Sequence, residues 1–405
     1  MRFHLLGLAH LPAHIKYTSC AFTQKNRKMA KMLTSLGHEV FFYGCEGSDV
    51  EEYCDSNKLH FVQTHTLDDL RKDYGDGDNR FDIGYNWQVE EYRHDLSTNT
   101  RRPSTLKFLQ SCTDNVKKLK KEDDFLLCTQ GQYHRPVANE VKLFLKCESG
   151  IGYRGSAKEM FRCFESGYIQ NFTYGSETPF ASRNGSYYDR VIPNYFDPNE
   201  FEYDNEKEDY FLFIGRMIKR KGVLTAYLAT KHSGDRLIFA GQNAFIDEQG
   251  NLKDKGQREF TISPDSNWEF IGFADVEKRK KLMSKAKGVF VATEYLEPFG
   301  GVSIEAMLSG TPAITTNFGC FPTNIPDVLD GKVGFRCNTL QDFVDAVNKC
   351  KNFTQEDYYF IRKYAERFLM DNVKYEFEKW FKDLYNVYES ATIPGKRGWS
   401  RVEVQ

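Results

Sequence analysis

Two glutamates bracket a Gly-Gly pair in "EPFGGVSIEAMLSG", which runs from Glu297 to Gly310 with seven residues between Glu297 and Glu305. Gly300 and Gly301 let backbone come close to a ligand, and the helix predicted to begin here exposes its first amides. That suits phosphate oxygens or sugar hydroxyls. A carboxylate accepts two hydroxyl hydrogens well, as from a ribose diol or a hexose. Glu297 precedes the helix and Glu305 lies about one turn into it, so the two reach different parts of one ligand. The competing account is that Glu305 complements the helix dipole and Glu297 faces water. A second cluster, "FIGRMIKRKG", sets Arg216 directly after an apolar run and Lys221 five residues on. The guanidinium fork matches two diphosphate oxygens and the lysine adds a mobile charge. Its alternative is a solvated basic turn. A third stretch, "TTNFGCFPTNIPDVLDGKVGFRC", reads as a strand followed by a Gly/Pro loop, as at a cleft rim.

These residues need strands and helices to position them, and the chain supplies an alternation of both. "RFHLLGLAH" predicts a strand, "TQKNRKMAKMLTSLG" a helix with Met29, Met32, Leu33 and Leu36 on one face, and "HEVFFYG" the next strand. Strand, helix, strand at this length is a parallel βαβ unit. Residues 66–105 predict a loop-rich insertion with short helices. "DDFLLCTQG", "VKLFLKCES" and "YIQNFTYGS" predict further strands. "DRVIPNYFDPNEFEYDNEKEDY" breaks the pattern as an interdomain connection would. A second series follows: strands at "YFLFIGR", "DRLIFAGQ", "NWEFIGF", "GVFVATE" and "PAITTN", with helices between them and long helices after. The residues beyond Pro394 predict a loose tail. Open parallel sheets bind ligands at the carboxyl ends of their strands, which is where Arg216, Lys221 and Glu297 fall.

Composition narrows the classes. The 405 residues are 40% hydrophobic, enough for two cores. A net charge of −2 gives no reason to expect nucleic acid as partner. No run of eighteen apolar residues is present, so no membrane span is expected. The opening "MRFHLLGLAHLP" is too short and broken for a secretion signal. Ten cysteines without a CxxC pair read as reduced thiols, and the expected setting is cytoplasmic.

The motifs together resemble family 4 (group 1) glycosyltransferases, retaining enzymes of the GT-B type. "EPFGGVSIEA" is similar to their E-x7-E motif and "FIGRMIKRKG" to their donor-phosphate motif. "IPDVLDGKVGF" resembles a further motif, with Asp327 where Glu is usual. "VIPNYFDPNEF" resembles their interdomain segment and "LGHEVFFYG" their first-domain strand. The second-domain likeness covers about residues 190–345. In the first half "GLAHLPAH" stands where the family usually has a Gly-Gly loop, and "ESGIGYRG" resembles members encoded by large algal DNA viruses. The resemblance implies an α/β fold of two tandem Rossmann-like domains facing a central cleft: residues 1–193 on the acceptor side, 194–370 on the donor side, and 371–405 packing back on the first. It implies that Arg216 and Lys221 hold the donor diphosphate. Glu297, with the amides of Phe299, Gly300, Gly301 and Val302, holds the donor sugar and phosphate, and Glu305 the ribose. A first-domain histidine faces the reacting carbon; His134 in "TQGQYHRP" is the first candidate, with His10 and His14 competing. The implied reaction moves a sugar from a UDP- or GDP-linked donor to a glycan, lipid-linked or protein-linked hydroxyl. A donor phosphate oxygen is the base, and no metal or other cofactor is needed.

Three rivals remain on sequence grounds. "GIGYRG", Gly150–Gly155, is a G-x-G-x-x-G that would mark an NAD-dependent oxidoreductase, although no acidic residue ends a second strand about twenty residues on. "DGD", Asp76–Asp78, resembles a metal-holding D-x-D but follows a polar stretch. A non-catalytic sugar-nucleotide-binding protein is the third.

Overall fold

The computed structural model describes residues 1–18, 20–74, 102–153, 155–157, 160–177, 187–255 and 259–392. The chain divides into two compact units: Met1–Tyr195 with the residues from Met370 onward, and Phe196–Leu369.

The first unit is built on a seven-stranded parallel sheet. Its strands are β1 (Arg2–Leu6), β2 (Glu39–Cys45), β3 (Leu59–His65), β4 (Phe125–Cys128), β5 (Lys146–Ile151), β6 (Phe161–Phe164) and β7 (Arg190–Val191), in the order β3-β2-β1-β4-β5-β6-β7. Between them run α1 (Ala21–Ser35), α2 (Val50–Cys54), α3 (Leu67–Tyr74), α4 (Pro103–Leu119), α5 (Gly131–Glu140) and α6 (Gly167–Glu177). Parallel strands covered on both faces read as continuous apolar runs, and β2 is buried from Val40 to Cys45. The chain's last helix, Met370–Thr392, completes this core. It sets Phe377, Trp380, Phe381 and Leu384 among Phe3, Met29, Leu33 and Phe125. The Trp380 indole donates to the Tyr188 carbonyl at 3.0 Å, so the buried ring keeps its polar edge satisfied.

The second unit repeats the plan. Its strands are β8 (Phe211–Ile214), β9 (Leu237–Ala240), β10 (Ala244–Ile246), β11 (Leu252–Asp254), β12 (Thr261–Ile262), β13 (Trp268–Phe270), β14 (Val289–Val291), β15 (Ala313–Thr316) and β16 (Gly334–Cys337). Six form a parallel sheet, β13-β9-β8-β14-β15-β16, and β10-β11-β12 form a small antiparallel one. The helices are α7 (Val223–Ser233), α8 (Val276–Lys285), α9 (Gly301–Leu308), α10 (Phe321–Asn324), α11 (Leu340–Cys350) and α12 (Gln355–Ala365). Capping boxes start α11 at Thr339/Asp342 and α12 at Thr354/Asp357. Strand order reverses between β8 and β14, which makes the loops after these two strands the natural ligand position.

Two segments differ from the sequence reading. "YIQNFTYGS", expected as a strand, lies in α6, because Ser166 starts a helix: its side chain accepts from the Ile169 amide and its carbonyl from the Gln170 amide. The antiparallel β10–β12 sheet was not expected. Of the insertion at 66–105, α3 and the start of α4 are helical, while residues 75–101 lie outside the described residues, as does the tail beyond Pro394.

Candidate functional site

The loops after β8 and β14 are locked together by backbone. Gly222, which ends the "RMIKRKG" turn, has φ +80°, and a Cβ there would lie 2.0 Å from the Ala292 carbonyl oxygen just past β14. Only glycine permits both the conformation and the approach. The Glu294 amide also donates to the Arg220 carbonyl at 2.8 Å. The basic turn is thereby held against the acidic one, although 76 residues separate Lys221 from Glu297 in sequence.

The Lys221 ammonium donates to the Glu297 carboxylate at 2.9 Å, and both side chains are largely enclosed, at 22% and 14% exposure. Tyr295 joins them. The Lys221 nitrogen stands 4.8 Å from its ring centroid and the Arg220 guanidinium 5.4 Å. Burial first, then the charge and hydrogen bond of Glu297, push the Tyr295 hydroxyl far above its ordinary pKa, while the Arg216 charge acts in the opposite sense. Arg216, Lys221, Tyr295 and Glu297 therefore share one electrostatic neighbourhood. Tyr295 was missed at the sequence level, since an aromatic two residues before an acid carries no signal of its own.

Behind Glu297 the chain enters α9. Gly300 caps it at φ +71°, where a Cβ would meet the Phe321 ring at 2.6 Å. The amides of Gly301 and Val302 lie in the first turn of α9, where helix donors have no intrahelical partner. Phe299 contributes backbone only: its ring is buried, stacked 6.3 Å from Phe196, and its carbonyl accepts from the Asn324 amide group. The Glu297 carbonyl accepts from the Cys320 amide at 3.2 Å, which fixes the loop from the β15 side. Glu305 is the fifth residue of α9, past the first turn where a helix dipole would hold an acid. Its neighbour is Arg279 of α8, 3.6 Å away, a residue the sequence reading passed over within a run of lysines. Asp327 stands in an exposed turn, 90% accessible, paired with Arg336.

The histidines belong to the first unit. His134, the first candidate for contact with the reacting carbon, is fully enclosed, between Phe108 and Tyr133. Its Nδ1 accepts from the Gln130 amide, and burial lowers its pKa to about 3, only partly offset by the Gly7 carbonyl. The side chain has no exposed surface, and among the described residues its buried Nε2 has no hydrogen-bond partner. His10 is also buried, with Nε2 3.5 Å from the Cys20 sulfur, whereas His14 is partly exposed and accepts from the Lys16 amide.

The oxidoreductase reading of "GIGYRG" fails on geometry. β5 runs through Ile151 and the next described element is strand β6, not a helix whose amides would meet a pyrophosphate. The space at its glycines is taken by charged side chains: a Cβ at Gly150 would lie 2.6 Å from the Lys25 nitrogen, and one at Gly152 2.3 Å from a Glu165 oxygen. Arg154 and the "DGD" at Asp76–Asp78 lie outside the described residues. No group of three metal-ligating side chains occurs among the described residues, nor any helix long and apolar enough to cross a membrane.

Two parallel α/β units of this topology define the GT-B fold. Sucrose-phosphate synthase from Thermosynechococcus elongatus aligns over 96% of this chain and 100% of its own, with TM-score 0.63 at 15% identity. Anabaena Alr3699/HepE, in complex with UDP and glucose, aligns over 95% and 100%, with TM-score 0.60 at 14% identity. The family model "Glycosyl transferases group 1" matches residues 197–368, which make up nearly all of the second unit. Glycogen synthase of Mycobacterium tuberculosis is 30% identical over 131 residues, which span 31% of this chain and 29% of that relative.

Proposed function

We propose that this protein transfers a sugar from a nucleoside diphosphate donor, UDP- or GDP-linked, to an acceptor hydroxyl with retention at the anomeric carbon and without a metal ion. The observation that carries the reading is the Lys221–Glu297 pair at the reversal of strand order, with Arg216 and Tyr295 beside it and the first turn of α9 behind.

The chemistry follows from those charges. As the anomeric C–O bond to the leaving phosphate breaks, negative charge grows on the diphosphate. Arg216, Lys221 and the α9 amides stabilise that growing charge more than the bound donor, which is the form of binding that accelerates a reaction. Cationic side chains serve here where other enzymes use a metal. The acceptor oxygen bonds to the anomeric carbon on the face the phosphate leaves, and a phosphate oxygen takes the acceptor proton. Glu297, once the diphosphate engages Lys221, is released to position sugar hydroxyls. The acceptor is a glycan, lipid-linked or protein-linked hydroxyl.

HepE's complex with UDP and glucose makes UDP-glucose the first donor to try. The test is a panel of UDP- and GDP-sugars screened for binding and slow hydrolysis in EDTA. Saturable binding of one nucleotide series with measurable hydrolysis supports the reading. Binding without turnover, with any acceptor, favours a non-catalytic sugar-nucleotide receptor, and no binding by any member refutes both.

A further inference from the structure

Three charged side chains meet where α8 faces α9. The Arg279 guanidinium stands 3.6 Å from the Glu305 carboxylate and 3.6 Å from that of Glu200. The Phe201 ring lies 5.9 Å from it. All three are mostly enclosed, with side-chain exposures of 11% for Glu200, 15% for Arg279 and 18% for Glu305. Both contacts are longer than hydrogen bonds. Among the described residues, the buried Nε and Nη2 of Arg279 have no hydrogen-bond acceptor. One cation between two acids leaves net negative charge, with donors on Arg279 and acceptors on Glu305 side by side. Enclosed charged groups call for partners, and a group that both donates and accepts completes this set.

We propose that Arg279 is a positioning and specificity residue for the nucleotide's ribose. The proposal rests on reading this unit as a nucleotide-sugar site. Arg279 holds the Glu305 carboxylate in place, and the two present acceptor and donor together to a vicinal diol: Glu305 takes hydroxyl hydrogens, and the guanidinium donates to a hydroxyl oxygen. A 2′-deoxyribose would leave one of these enclosed charges unpaired. Sites built to hydrogen-bond a hydroxyl discriminate strongly against the analogue lacking it.

The experiment titrates UDP, GDP and their 2′-deoxy counterparts into wild type, Arg279→Ala, Arg279→Lys and Glu305→Gln. Wild type is expected to prefer the ribonucleotide by about tenfold or more. Arg279→Ala is expected to lose most of that preference through weaker ribonucleotide binding, with the deoxy affinity nearly unchanged and donor KM raised more than kcat falls. Arg279→Lys, which keeps the charge, restores part of it and serves if the alanine variant does not fold. Equal weakening of ribo and deoxy forms would reveal a merely structural arginine and overturn the proposal. Loss of preference in Glu305→Gln with preference intact in both Arg279 variants would also overturn it, while leaving the nucleotide site standing. Absence of any nucleotide binding by wild type would remove the site itself.

Discussion

Removing either member of the Lys221–Glu297 pair should have opposite effects on a bare nucleoside diphosphate. Lys221→Ala deletes a charge-assisted contact to phosphate, worth about 1.5–3 kcal/mol, or roughly a 10- to 150-fold loss in affinity. Glu297→Gln does something different. In the free protein Glu297 already holds Lys221 at 2.9 Å, so the diphosphate must compete with it. Both side chains retain some exposure, 22% and 14%, which limits the pair's net value to about 1 kcal/mol. Freeing Lys221 should therefore leave UDP or GDP affinity unchanged or tighten it by up to about fivefold. Turnover of the sugar donor should nevertheless fall, because Glu297's hydroxyl-accepting role is lost. Isothermal titration calorimetry with the diphosphate, paired with donor hydrolysis rates, reads both effects. Glu297→Gln weakening the bare diphosphate as much as Lys221→Ala would show that Glu297 does not compete for the lysine, and unchanged affinity in both variants would refute the site.

Gly222→Ala puts a methyl 2.0 Å from the Ala292 oxygen at φ +80°, so a destabilisation of about 3 kcal/mol or more, read in urea melts, and loss of nucleotide binding are expected. His134→Ala should lower stability by about 2–4 kcal/mol through the cavity it leaves, while nucleotide affinity measured on the folded protein stays at the wild-type value. Glu148 is buried, and desolvation raises its carboxyl pKa to about 7 despite hydrogen bonds from Tyr153, Ala157 and Gly131. Between pH 4.5 and 7 the unfolded chain releases this proton while the folded chain keeps it. Its contribution to stability thus falls as pH rises, by up to about 3 kcal/mol, and is level above pH 7. Glu148→Gln should flatten that segment of the stability–pH curve relative to wild type, and an identical slope in both proteins would refute the assignment.

Much of the fold was legible because apolar runs and helical faces alternate with little ambiguity. β2, β8, β9 and β14 sit where short Val, Leu, Ile and Phe runs lie next to or contain a glycine. The misread "YIQNFTYGS" shows the limit: a short aromatic stretch suits strand or helix, and the Ser166 cap decides. The candidate site was legible as a set of residue types, but its pairing was not. Lys221 and Glu297 are joined by Gly222 passing close to Ala292, a contact no local pattern encodes. Arg279 was hidden for a related reason. It is one cation in "VEKRKKLMSK", and only its place in the fold, 3.6 Å from both Glu200 and Glu305, distinguishes it. That His134 is buried was not legible either, because a position just past a strand end does not say which way the following helix turns its side chains.

The first unit's hydrophobic interior draws on Phe377, Trp380, Phe381 and Leu384, which follow the whole Phe196–Leu369 unit along the chain. During synthesis the amino-terminal part of the first unit must wait, incomplete, while the intervening Phe196–Leu369 segment emerges. A stop at the Leu369–Met370 boundary would thus leave the middle unit whole and the first without part of its core. Conversely, the middle segment can be excised and expressed alone with far better prospects than the longer piece that precedes it.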